Sequence, residues 1–234
     1  MQTEKDLEVT DWIGRLGAAG AEHVMARFAM GRSWAYARLN RLVADGLLQQ
    51  RLLLYRQPGL YVATAEGLRW CGLHRLGLFR VGPGGFEHAR QVATAAAALH
   101  AGMPGWRLLG EREIRAAESD RSELLASATL AQLPGGGQAL HRPDLALVSP
   151  ERRVVAVEVE LSVKAARRLV AICRGWARAR HVSHVYYLAA PAAARAVSRA
   201  VRETRAEDRI TVLTLDEIGG LVRAELEEAR DVRA

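Results

Sequence analysis

The chain has 234 residues, half of them hydrophobic and a quarter charged, with a formal net charge of +7 and a pI of about 10.1. That balance excludes a disordered or fibrous chain and leaves room for two domains. No apolar run reaches the roughly 18 residues of a membrane span, and the polar, acidic opening MQTEKDLEVT is unlike a secretory leader, so a cytoplasmic protein with no membrane partner is expected.

In chain order, residues 10–71 read as helix, helix, helix, hairpin, helix. TDWIGRLG opens on Thr10 and Asp11 as caps and closes on Gly17, AEHVMARF is a short second helix, and GRSWAYARLNRLVADG is a longer third that ends at Gly46. On that third helix Ala35, Leu39, Leu42, Val43 and Gly46 share one side. Ser33, Ala37, Asn40 and Arg41 fall opposite, with Trp34 and Tyr36 on the flanks. LLQQRLLLYRQPGLYVAT gives two β-rich runs around the turn signal RQPG, and AEGLRWCGL restarts a helix. Helix-turn-helix followed by a hairpin is the plan of a winged helix, whose third helix enters the major groove of DNA. On that plan Arg32, Ser33, Tyr36, Asn40 and Arg41 contact bases and phosphates, and Arg51 and Arg56 sit on the wing. The same plan also serves as a protein–protein module with a solvated arginine face.

Residues 72–86, GLHRLGLFRVGPGGF, read as a linker, which places a boundary near residue 83 and predicts domains over 1–83 and 84–234. The second domain begins with an Ala-rich helix over 86–100. WRLLGEREI is a strand, residues 116–133 are ambiguous, and LPGGGQ is a loop. PDLALVS and RVVAVEVEL form a hairpin, residues 163–180 a helix, HVYYLAA a strand, residues 191–206 a helix opened by Pro191, and ITVLTL a last strand before a helical tail from Asp216. The pattern is an α/β layer with a mixed sheet.

Side chains alternate along a strand, so Glu158 and Glu160 share one face about 7 Å apart. Asp144, at the head of DLALV, falls across the hairpin near the same end. Hard oxygen donors of this kind suit Mg²⁺ or Mn²⁺, and a metal there polarises a phosphate and acidifies a bound water. The plain alternative is an edge strand with solvated glutamates and a common Pro-Asp turn. Of the 33 basic residues only Lys5 and Lys164 are lysine and the rest are arginine. In such a chain Lys164, just past the acids, either marks a place for a compact ammonium or is the chance survival of one lysine codon. Beyond it Arg167, Arg168, Arg174 and Arg178 fall on one helix face with Lys164, opposite Ala165, Leu169, Ile172, Cys173 and Trp176. That stripe either grips a DNA backbone or is a solvated surface. Cys71 and Cys173 lie far apart in apolar surroundings, without zinc spacing, as buried thiols do.

"PD" followed after a hairpin by "EVE", with a lysine just beyond and an αβββαβ order around them, resembles the PD-(D/E)XK nuclease superfamily. The resemblance implies Asp144 and Glu158 as metal ligands and Asp144, Glu158, Glu160 and Lys164 as the catalytic set. The chain departs at Glu160, where the superfamily usually has lysine. In some members that lysine sits on the following helix, where Lys164 is placed, and some carry an acid in the first helix, which makes Glu87 a further candidate. A winged helix ahead of such a domain is similar to the replication-relaxation family of actinobacterial plasmids and integrative elements. The implied function is a double-stranded-DNA-binding protein, with Mg²⁺- or Mn²⁺-dependent endonuclease or nickase activity in replication, relaxation or mobilisation. The alternatives are a non-enzymatic regulator or relaxosome accessory with an inactive nuclease-like domain, and a protein-interaction adaptor. A homodimer is left open.

Overall fold

The computed structural model describes residues 2–119, 123–133 and 137–231, with the side chains of 229–231 outside the description. The chain divides into two compact units, 1–101 and 102–234, each mixing helices and sheet. Among the described residues no helix is long and apolar enough to cross a membrane. The expected boundary near residue 83 falls inside the first unit. Val81 and Phe86 join Ala18, Leu60 and Val62 in one buried cluster, so the helix that was to open the second domain packs with the first unit.

The first unit runs α1 (Glu4–Leu16), β1 (Ala18–Ala19), α2 (Ala21–Phe28), α3 (Arg32–Ala44), β2 (Leu48–Arg51), β3 (Leu60–Ala63), α4 (Ala65–Trp70) and α5 (Phe86–Gly102). Its three strands form an antiparallel sheet in the order β1-β3-β2. Helix α1 starts well before the expected Thr10, because Thr3 and Asp6 form a capping box that satisfies the first backbone donors. Thr10 is instead buried and donates its hydroxyl to the Asp6 carbonyl at 2.8 Å. The Asp6 carboxylate is itself fully buried and reaches across to α3, where it pairs with Arg38 and accepts from Arg41 Nη2 at 2.5 and 2.7 Å. Val9 and Ile13 of α1 and Leu39 and Leu42 of α3 are buried, so each of the two helices the ion cluster ties together also buries an apolar face.

Helix α4 lies so close to the chain entering β2 that a Cβ on Gly67 would stand 2.1 Å from the Leu47 carbonyl oxygen. Only glycine allows that approach. Gly67→Ala should therefore force backbone apart and cost about 2–4 kcal/mol. Urea denaturation checks this, and an unmoved midpoint would mean that α4 slides freely.

The second unit runs β4 (Arg107–Gly110), α6 (Glu111–Ser119), β5 (Ala128–Gln132), β6 (Gln138–His141), β7 (Leu145–Val148), β8 (Val154–Glu160), α7 (Ala166–Arg178), β9 (His184–Ala189), α8 (Pro191–Thr204), β10 (Ile210–Thr214) and α9 (Ile218–Asp231). The main sheet has the order β10-β9-β8-β7-β4. Strands β8, β9 and β10 are parallel, and β7 is antiparallel to both neighbours, a mixed sheet as expected. Two elements differ from expectation. EREI is not strand but the start of α6, and β5 and β6 form a separate hairpin. The expected loop at LPGGGQ and the ambiguous stretch before it fall partly on 134–136 and 120–122, outside the described residues.

Strand β8 is the middle strand, and every residue from Val154 to Glu160 is buried. The edge-strand alternative for its glutamates is thereby overturned. Ala156 packs in a cluster with Leu169, Ile172 and Trp176 of α7, Val197 of α8 and Tyr187 of β9, so the even-numbered face of β8 looks toward the helices. The C-terminal helix α9 is held by a polar clasp. Arg153 Nη1 pairs with the buried Glu225 at 2.8 Å, Arg153 Nη2 with Glu228 at 2.5 Å, and the Tyr186 hydroxyl donates to Glu225 at 2.8 Å.

Candidate functional site

The β7–β8 ladder pairs Val148 with Val154 through to Leu145 with Val157. One step further along the hairpin places Asp144 opposite Glu158, on the same face. Asp144 Oδ2 accepts the Val159 amide at 2.8 Å, so a side chain continues the ladder where strand pairing ends. Glu158 and Glu160 stand at the carboxyl end of β8, beside the end of β9 at Ala189. In open α/β sheets ligands bind outside the carboxyl ends of parallel strands. Lys164 lies in the turn between β8 and α7 rather than on the helix, which begins at Ala166, and its ammonium pairs with Glu160.

Glu158 Oε1 meets His141 Nε2 at 2.6 Å, and the His141 ring stands edge-on to Trp176 at 5.8 Å. Burial raises the Glu158 carboxyl, and the imidazole offsets only part of that, so the net shift is upward. Burial lowers His141, but the Glu158 carboxylate outweighs it and the net shift is again upward. The pair thus keeps a proton to higher pH than either isolated side chain. Asp144 and Lys164 each act on both groups, so each lies within electrostatic reach of the His141–Glu158 pair. Behind them the site is closed: burial pushes the Tyr187 phenol well above its usual range and the Cys173 thiol up to about 12. Cys173 is the inert buried thiol expected of it, and Cys71 is half-buried and also free.

Among the described residues no group of three or more His, Cys, Asp or Glu side chains is placed to hold a metal ion. The hairpin register sets two carboxylates, Asp144 and Glu158, at opposed positions. That set fits a hard cation such as Mg²⁺, which is commonly held by one or two carboxylates, with water and phosphate filling its remaining positions. Glu87, the further candidate acid, belongs to the first unit, where it accepts from Gln91 Nε2 at 2.7 Å.

On α7, Arg167, Arg168, Arg174 and Arg178 are exposed while Leu169, Ile172, Cys173 and Trp176 are buried, which matches the two expected faces. Ala165, expected on the apolar face, precedes the helix and is exposed. If the stripe grips a polyanion, Arg167→Glu with Arg174→Glu should lower affinity for duplex DNA and flatten its salt dependence, with melting unchanged. Fluorescence anisotropy over a salt series measures both, and unaltered binding would leave the stripe a solvated surface.

In the first unit Arg32, Ser33 and Asn40 are exposed on α3 and Tyr36 is half-buried, with the Arg32 guanidinium 5.7 Å from its ring. Trp34 beside them is 75% exposed. Arg41 is exposed but committed to Asp6, so it acts first as a strut between α1 and α3. Arg51 ends β2, and Arg56 lies in the loop beyond it, both exposed.

Two residues of consequence escaped the sequence reading. His141 sits three residues before Asp144 on β6, a strand masked by the glycine-rich stretch ahead of it. Asp6 was legible in principle, since Thr3 and Asp6 have capping-box spacing. In comparisons with protein-family models, with curated proteins and with solved structures, none matches this chain.

Proposed function

We propose that the chain is a double-stranded-DNA-binding protein of a plasmid or integrative element. Its first unit is read as a winged helix and its second as a PD-(D/E)XK nuclease-like domain that cuts phosphodiesters with Mg²⁺ or Mn²⁺. The observation that carries the reading is Asp144 set opposite Glu158 by the β7–β8 hairpin register, with Lys164 in electrostatic reach of Glu158. Asp144 and Glu158 would hold the metal, which when bound polarises a phosphate oxygen and acidifies a water. Glu160 occupies the place where a lysine is usual, and by pairing with Lys164 it holds a positive charge beside the acids. An ammonium so held stabilises negative charge that develops on a phosphate. His141 orients the Glu158 carboxyl, and the α7 arginines line up for a DNA backbone.

A second reading, a DNA-binding regulator with an inactive nuclease-like domain, is favoured by a different observation. Each acid already has an internal partner: Asp144 the Val159 amide, Glu158 His141, and Glu160 Lys164. Incubation of the full chain with supercoiled plasmid separates the two. The first reading expects relaxed circles with Mn²⁺ or Mg²⁺ and a melting temperature raised by the metal, since a ligand of the native state stabilises it. Unmoved melting at millimolar metal, with no relaxed circles, leaves the regulator.

A further inference from the structure

We propose that the tip of the β2–β3 hairpin is an apolar wedge that unstacks a base step of duplex DNA and kinks it. The inference rests on the DNA-binding reading of the first unit. Between the two strands the chain runs LLLYRQPG, and its tip exposes what a soluble surface usually hides: Leu52 is 73% exposed and Tyr55 87%, with Leu54 exposed between them. Such a patch marks an interaction site more often than a bare surface.

The tip is built rather than loose. The Gln57 amide closes a turn onto the Leu54 carbonyl at 3.4 Å, with Tyr55 and Arg56 at its centre. Arg56 takes φ 57, a left-handed conformation that glycine or asparagine adopts more readily. Strain of that kind is kept where the surroundings require it. From there the guanidinium lies 5.5 Å from the Tyr55 ring centroid. Leu52 lies against Gly59, where a Cβ would come within 2.8 Å of its Cδ2, so the glycine lets the leucine rest across the base of the loop.

Charge selects the occupant. From residue 23 to residue 86 the only acids are Asp45 and Glu66, while Arg51 and Arg56 flank the apolar tip directly. An apolar tip ringed by arginine suits a polyanion with an apolar interior, which is stacked DNA. Architectural proteins use leucine and aromatic side chains in this way, inserted from the minor groove between base pairs.

Wedging costs unstacking energy, and a mismatch at the wedged step removes much of that cost. The full chain should therefore bind a duplex with one central mismatch or two-base bulge about tenfold or more tightly than the matched duplex. It should also shorten the distance between dyes on the two DNA ends. Leu52→Ser and Tyr55→Ser, at exposed positions that leave folding intact, should abolish both the preference and the bend. Arg51→Ala should weaken binding to all duplexes and keep the preference. Wild-type binding without mismatch preference or bend overturns the wedge and leaves the DNA-binding reading standing. No binding to any duplex at low salt overturns both. Concentration-dependent self-association, seen by sedimentation and lost in Leu52→Ser, would assign the tip to a second copy of the chain and overturn the wedge.

Discussion

On the proposed nuclease reading, Asp144→Asn and Glu158→Gln should each cut metal-dependent plasmid nicking by about 10²–10³-fold or more, with DNA affinity retained. The substitutions are chosen for what they keep. Asn at 144 still offers an oxygen to the Val159 amide, whereas alanine would leave that buried donor unmet at about 1–3 kcal/mol. Gln at 158 can still bond to His141 but no longer carries charge. Lys164→Arg should also lose most of the activity. A guanidinium can keep the pair with Glu160, but it is planar and broad, and it places its charge differently from an ammonium. Initial nicking rates in Mn²⁺, set beside anisotropy binding curves, read both properties. Full activity in Asp144→Asn would remove the two-carboxylate site from the reaction.

Asp6→Ala should destabilise the first unit by about 3 kcal/mol. This is the low end for breaking a buried ion pair, because Arg38 and Arg41 keep some access to water. For a unit of this size that lowers the melting temperature by roughly 10–20 °C. The same carboxylate gives an acid dependence. Burial alone would raise it, but the Thr3 amide and hydroxyl and the guanidinium groups of Arg41 and Arg38 outweigh burial and hold it below the ordinary range. Because the folded carboxyl titrates below the unfolded one, at about 3.9, its contribution is full above that value and fades as pH falls through the folded value. Thermal melts of wild type and Asp6→Asn should therefore converge toward the acid end. Parallel curves down to pH 2 would assign the cluster no titration.

What the sequence made legible was local. Helices α2, α3 and α8 announced themselves through glycine and proline punctuation and apolar spacing, and β8 through its valine alternation. The Asp144–Glu158 pairing was also within reach, because a short hairpin fixes its own register. The unread parts depend on partners far away in the chain. Nothing in VEVE says that β8 lies at the centre of the sheet, where its glutamates are buried and need His141 and Lys164. Nothing near Phe86 says that its ring packs against Leu60 and Val62, which is why the boundary shifted. Arg41 looked like a free cation because its partner is 35 residues earlier.

The way β4 meets β7 bears on how the chain acquires its shape. The two strands are neighbours in the sheet, yet α6 and an entire hairpin intervene, and β8, β9 and β10 are joined only through full helical crossovers. Each pairing must close a long loop before it gains anything, and such topologies fold slowly. The first unit, with five helices and a three-stranded sheet that contains a short hairpin, has no parallel strand pair to close among its described residues. It also leaves the ribosome first. A nascent chain of this protein would thus carry a finished arginine-rich module while the half that holds the acids is still unformed.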